Sequence, residues 1–239
     1  MARRAAALGA ALLLAGRLAS AAPAHDICAE LGPDLGVGIA SYSAAGDWPE
    51  QAELAHSVDW RFLYLYVVPT SDPAADREWF LLHKAEVAAS LGAVPVYTFY
   101  ELLQRGQLAG LTGAEPEVVQ AVLQDPGLMR AYFDDFVFLV ETVAAAPTPP
   151  IVHVEPDSWG FMSWAMGIEG NADATSVPVA VAGSGHPDLA DLPDHASGFG
   201  RALLRLRDLY APVVRLAWHA SNFRAGTRPE VTTGFYGSM

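Results

Sequence analysis

The chain has 239 residues, with 27 acidic against 14 basic side chains and a formal charge of −13. A surface this acidic repels nucleic acid and anionic lipid, which argues against both as partners and favours a neutral or cationic ligand. Cys28 is the only cysteine, so an intramolecular disulfide and CxxC-type zinc sites are excluded.

The amino-terminal stretch reads as a targeting segment. Arg3 and Arg4 precede an apolar run over 5–16, and Ala19-Ser20-Ala21 supplies a small-x-small cleavage pattern. Together they predict a secretory signal peptide over residues 1–22 and a secreted or periplasmic protein. The run is too short to span a bilayer, and no later segment is long and apolar enough for a membrane helix, so no membrane association is expected after cleavage. Loss of Arg3, Arg4 and Arg17 takes the charge from −13 to −16. A short segment over 23–34 then leads into one domain over 35–239.

Within that domain, apolar runs of strand length recur at 35–40, 62–68, 93–100, 151–155, 177–182 and 213–219. Their Val, Tyr and Phe content and near-continuous apolarity suit strands buried on both faces. Helical spacing occupies 76–91, 127–145 and 195–210. The second of these starts after Asp125-Pro126 and stops before Pro147-Thr148-Pro149-Pro150. Strands alternating with helices predict a parallel α/β architecture of about six βα units.

Two topologies meet that pattern. A dinucleotide-binding sheet needs Gly-x-Gly-x-x-Gly after its first strand, and Gly36-Val37-Gly38 has the wrong spacing. Polar and aromatic residues instead collect after every strand, as a barrel mouth requires. The expected fold is therefore an α/β (β/α)8 TIM-type barrel, incomplete at about six units.

Ile151-Val152-His153-Val154-Glu155-Pro156-Asp157-Ser158-Trp159 concentrates the chemistry. Pro156 cannot donate to a ladder and should end the strand. Alternation places His153 and Glu155 on one face, with Asp157 just beyond. Glycoside hydrolysis needs two carboxyls, one protonated and one ionised. Glu155 is the expected acid, raised by burial beside Trp159. Its other reading is a structural ion pair with Arg215. Asp157 is the expected second carboxylate, at a spacing suited to an inverting pair. Its other reading is an N-cap for the following helix. His219 would hydrogen-bond a sugar hydroxyl or tune Glu155, or else close its strand as a buried imidazole. His186 and His195 read as structural. Tyr97, Tyr100, Trp159 and Trp218 fall near strand ends, where flat rings stack on sugar C–H faces. His153, Glu155 and Asp157 also form a minor candidate metal set, but no second cluster accompanies them, so neither metal nor cofactor is expected.

At these residues a resemblance enters. Val154-Glu155-Pro156-Asp157-Ser158-Trp159, Val96-Tyr97-Thr98-Phe99-Tyr100 and Leu216-Ala217-Trp218-His219-Ala220-Ser221 together resemble secreted bacterial (β/α)8-barrel glycoside hydrolase-like proteins, over about residues 35–224. Glu155-Pro156 is similar to the Asn-Glu-Pro of barrel glycosidases, with Val154 in place of the Asn. Glu155 to Ser158 and His219-Ala220 are similar to motifs of distorted-barrel cellulases. The resemblance implies acid/base hydrolysis of a polysaccharide or oligosaccharide. Glu155 and Asp157 would be catalytic. Tyr97, Tyr100, His153, Trp159, Trp218 and His219 would line the carbohydrate site. Retaining members carry a nucleophile on a seventh strand, for which this chain has no evident room. The alternatives are a non-catalytic extracellular carbohydrate-binding barrel or an inactive truncated homologue.

Overall fold

A computed structural model describes residues 38–41, 62–67, 74–164 and 173–219, with side chains described over 78–163 and 173–219. The chain divides into two units, 1–33 and 34–239. The expected signal peptide and Cys28 lie in the first, outside the described residues.

Five strands form one sheet: β1 (Gly38–Ser41), β2 (Phe62–Val67), β3 (Val94–Phe99), β4 (Ile151–Val154) and β5 (Arg215–Trp218). Every pairing is parallel and the strands lie in chain order, with no reversal. Helices α1 (Ala74–Ser90), α2 (Leu102–Leu108), α3 (Glu115–Gln124), α4 (Pro126–Val143), α5 (Ser158–Trp164) and α6 (Ala196–Tyr210) lie in the connections that follow β2, β3 and β4. Among the described residues β1 and β5 are the sheet's edges, and closure into a barrel is not seen.

The expected strand over 177–182 is not formed. Pro178 makes only an isolated antiparallel bridge to His195. The Asp194 carboxylate accepts from Val181 N at 2.7 Å and Gly183 N at 2.9 Å, diverting donors a ladder would need. Short 3₁₀ turns at Ala174–Ser176, Ala182–Ser184 and Pro187–Leu189 occupy the segment instead. Its Val177, Val179 and Val181 are buried all the same. The apolar run was thus a core signal without being a strand signal. Helices α2 and α3 were absent from the sequence expectation.

Local chemistry accounts for the helix ends. Gly92, at φ +66°, takes the left-handed position that stops α1. Asp125 ends α3 and caps α4, its Oδ1 accepting from Leu128 N at 2.8 Å, with Pro126 at the first helical position. Asp125→Ala is expected to cost about 1 kcal/mol. The melting temperature in scanning calorimetry should fall by about 2–4 °C, and an unchanged melt would mean that the cap contributes nothing to stability. Gly106 lets α2 approach α3, since a Cβ there would overlap Val118.

The core lies between the sheet and its helices. Met129, Tyr132, Phe133, Phe136, Val140 and Val143 recur at helical spacing along α4 and are all fully buried. They meet Tyr97 and Phe99 of β3 and Val152 and Val154 of β4 in a single cluster. Phe99 lies 5.1 Å from the Tyr132 ring and 5.6 Å from that of Phe136. By alternation, Thr98, His153 and Ala217 share the other face at one register level, and they are half-buried.

Candidate active site

At the end of β4 the backbone breaks the strand pattern. Glu155 adopts φ +45°, the one positive φ among the described non-glycine residues. Its N–H donates to Phe99 O at 2.8 Å, but the left-handed turn carries its side chain to the helix side. Oε1 accepts from Glu101 N at 2.8 Å and Leu102 N at 3.0 Å, capping α2 from another element. Oε2 accepts from Ser158 Oγ at 3.0 Å. The carboxyl is wholly buried. Burial pushes its pKa up to about 7, against the opposing pull of those donors. Strict alternation placed Glu155 beside His153, but the turn separates them. This corrects the reading of Glu155 as the catalytic acid and dissolves the His153, Glu155 and Asp157 metal set. Among the described residues no group of three or more His, Cys, Asp or Glu is arranged to hold a metal ion. The alternative ion pair with Arg215 is absent too. Arg215 begins β5 opposite Ile151 and donates to Pro149 O at 3.4 Å.

A different cluster occupies the carboxyl ends of the strands. Asp157 follows the break and is half-buried. Its backbone carbonyl accepts from Phe161 N at 3.1 Å, while its side chain turns to Tyr100, with Oδ2 3.3 Å from the hydroxyl. The same hydroxyl bonds to Glu115 Oε1, from the first turn of α3. His153 and His219 complete the group, their ring centroids 6.1 Å apart. Four residues expected from the sequence, Tyr100, His153, Asp157 and His219, therefore come together.

The electrostatics divide the two carboxyls. Burial raises the Glu115 pKa, and the charge of Asp157 raises it further. A first-turn position on a helix favours the anion, but here the two opposing effects outweigh it. Burial raises Asp157 also, while His219 and His153 pull it back toward the ionised form. Burial lowers His153, as does His219, with Asp157 opposing. Tyr100 has one hydroxyl proton to offer. It can donate to only one of the two carboxyl oxygens at a time. Burial raises both carboxyls, and the imidazoles oppose that rise at Asp157 alone.

Three further expectations, Tyr97, Trp159 and Trp218 as sugar platforms, are corrected. Tyr97 is wholly buried on the helix side, its hydroxyl donating to Leu81 O at 2.7 Å. Trp159 is wholly buried, its indole N–H donating to Val154 O at 2.9 Å and its ring stacked on Phe199 at 5.3 Å. Trp218 pairs with Val154, on the parity of the core, and packs edge-on against Trp159 at 6.4 Å. None of the three is a rim platform. His186 and His195 are caps, with Nδ1 accepting from Asp188 N and Gly198 N respectively. Glu115 was missed. Its sequence signal was the Ala-Glu-Pro-Glu start of an apolar-periodic segment, which marks a helix amino-terminus and says nothing of what the terminus faces.

No protein-family model, curated protein or solved structure matches this chain.

Proposed function

We propose that the chain is an exported hydrolase of glycosidic bonds, built on a β/α barrel of which the five parallel strands form part. Asp157 is its nucleophile and Glu115 its acid/base. The observation that carries this reading is the sharing of one Tyr100 hydroxyl by two carboxyls, of which Asp157 alone has imidazoles favouring its anion. Two hydrogen bonds to one oxygen put the carboxyl oxygens within about 5–6 Å of each other. That bound admits the roughly 5–5.5 Å separation of retaining glycosidases. Parallel strands in chain order, helices in the connections and ionisable groups at the carboxyl ends all suit a barrel enzyme.

In the first step Asp157 attacks the anomeric carbon while Glu115 gives its proton to the departing oxygen. Water then opens the glycosyl ester, with Glu115 accepting the water's proton. His153 and His219 favour ionised Asp157 before the attack. Glycan binding without hydrolysis is the weaker reading, because Tyr97 and Trp159, two of the rings meant to hold the sugar, are sealed in the core.

The test is hydrolysis of a panel of aryl glycosides by the full chain, with the anomer of the first product followed by proton NMR. Retained configuration is expected. Turnover with inversion would refute the pairing of Asp157 with Glu115, and no turnover of any member between pH 4 and 9 would refute the glycosidase reading.

A further inference from the structure

Tyr100 and Asp157 both lie past the end of the ladder that joins their strands. The last paired residues of β3 and β4 are Phe99 and Val154, so strand pairing alone does not set where either side chain stands. Glu155 takes over where the ladder stops. Its N–H donates to Phe99 O at 2.8 Å, immediately before Tyr100. Its Oε1 accepts from Glu101 N at 2.8 Å and Leu102 N at 3.0 Å, immediately after Tyr100. Its Oε2 accepts from Ser158 Oγ at 3.0 Å, immediately after Asp157. The hydrogen bonds of one residue thus fall on the chain neighbours of both rim side chains.

The turn by itself does not explain a glutamate here. At φ +45° the backbone is left-handed, a conformation that glycine adopts freely and that asparagine and aspartate tolerate better than glutamate does. A glycine would make the same turn with less strain, but it would leave Glu101 N and Leu102 N without the acceptor that Glu155 supplies. The carboxyl is also wholly buried, which is unfavourable unless both oxygens are satisfied. What the side chain adds is a tie between the segment bearing Tyr100 and the segment bearing Asp157. Two of its bonds go to backbone N–H groups, so it fixes the course of the chain and not merely a rotamer.

We propose that Glu155 is the positioning residue of the rim. It brackets Tyr100 through Phe99, Glu101 and Leu102, and Asp157 through Ser158, and so keeps the Tyr100 hydroxyl 3.3 Å from Asp157 Oδ2. It touches neither substrate nor the reacting atoms. Its part in hydrolysis rests on the glycosidase reading above, whereas the bracing does not. Without the side chain the two segments drift apart, and a displacement of about 1 Å at a reacting pair lowers the rate about a hundredfold. The requirement is for acceptor geometry, not charge. A glutamine keeps an oxygen for Glu101 N and Leu102 N, and the Ser158 hydroxyl can turn to accept from its amide.

Carbon-13 NMR of the full chain labelled at tyrosine Cζ reads this contact without a substrate. The measurements are made in a Glu115→Gln background, so that Asp157 is the carboxyl of the pair left to titrate, and Tyr100→Phe identifies the resonance. The Tyr100 signal is expected to move as Asp157 ionises between about pH 3 and 6. Adding Glu155→Gln should preserve that movement, and adding Glu155→Gly should abolish it. With Glu115 intact, Glu155→Gly should lower kcat on any glycoside hydrolysed by about a hundredfold with little change in KM, and Glu155→Gln should restore most of that loss. A Tyr100 signal insensitive to pH in the parent would overturn the assignment. So would one that moves equally in Glu155→Gly, or one that Glu155→Gln abolishes as fully as Glu155→Gly. Should Glu155→Gly fail to fold, Glu155→Asn, which suits the same backbone but is one methylene shorter, is read in its place. Should that fail too, amide exchange in the wild type decides: protection of Glu101 and Leu102 supports the bracing, and exchange at the rate of an unstructured chain overturns it. Absent turnover would count against the glycosidase reading alone.

Discussion

Replacing Asp157 with Asn is expected to lower turnover of any glycoside the chain hydrolyses by roughly a hundredfold to ten-thousandfold, the usual range for removing a positioned acid/base or nucleophilic carboxylate. The side chain is half-buried at the rim and is bonded to the Tyr100 hydroxyl. An amide keeps the size of the carboxylate and an acceptor oxygen, so the melting temperature should move little while kcat collapses. The pH profile carries the sign. Both Glu115 and Asp157 have pKa values above their ordinary ones, and the imidazoles of His219 and His153 draw Asp157 back down. Activity should therefore rise as Asp157 ionises and fall at higher pH as Glu115 loses its proton. The Asp157→Asn change removes the acid limb. In Asp157→Ala, added azide should restore turnover and give the inverted glycosyl azide, because the small anion occupies the vacated nucleophile position. A wild-type rate in Asp157→Asn would refute its role. If Glu115→Gln alone stopped turnover, the catalytic partner of Glu115 would lie elsewhere.

Trp159→Ala is expected to destabilise the fold by about 3–5 kcal/mol. The indole is wholly buried, stacked on Phe199 and edge-on to Trp218, and its N–H is the donor to the Val154 carbonyl at the end of β4. Truncation opens a cavity and leaves that carbonyl without the indole donor. A fall of roughly 10 °C or more in the melting temperature should follow. A sugar platform would behave in the opposite way: its removal would weaken ligand binding and leave stability within about 0.5 kcal/mol, as surface changes do. The calorimetric melt separates the two roles without a substrate.

Strand and helix positions were legible where periodicity and boundary chemistry agreed. The apolar runs at 62–68, 93–100 and 151–155 became β2, β3 and β4 with ends shifted by a residue or so. Pro126 and Gly92 marked a helix start and a helix stop where elementary backbone preferences put them. The run at 177–182 was misread because burial and extended pairing leave the same apolar trace, and Asp194 decided between them from a distance in sequence.

The site shows the same division. The sequence alone was enough to place titratable groups at the carboxyl ends of β4 and β5, because Pro156 must end one strand and His219 follows the other. Which carboxyl faces the rim was a tertiary matter. One left-handed residue, Glu155, inverts the alternation on which the face assignment depended, and what stabilises that conformation is the buried amino-terminus of α2, which no local pattern reveals. Tyr97 and Trp159 were drawn inward for a similar reason: an aromatic at a strand end packs against whichever side offers apolar contact and a carbonyl for its polar atom, and α1 and the turn after β4 offered both. Glu115 reached the rim only because Gly106 allows α2 and α3 to pack closely enough to bring the start of α3 to Tyr100. Composition and period thus determined what was buried and where strands stopped, whereas the direction of each polar side chain awaited its long-range partner.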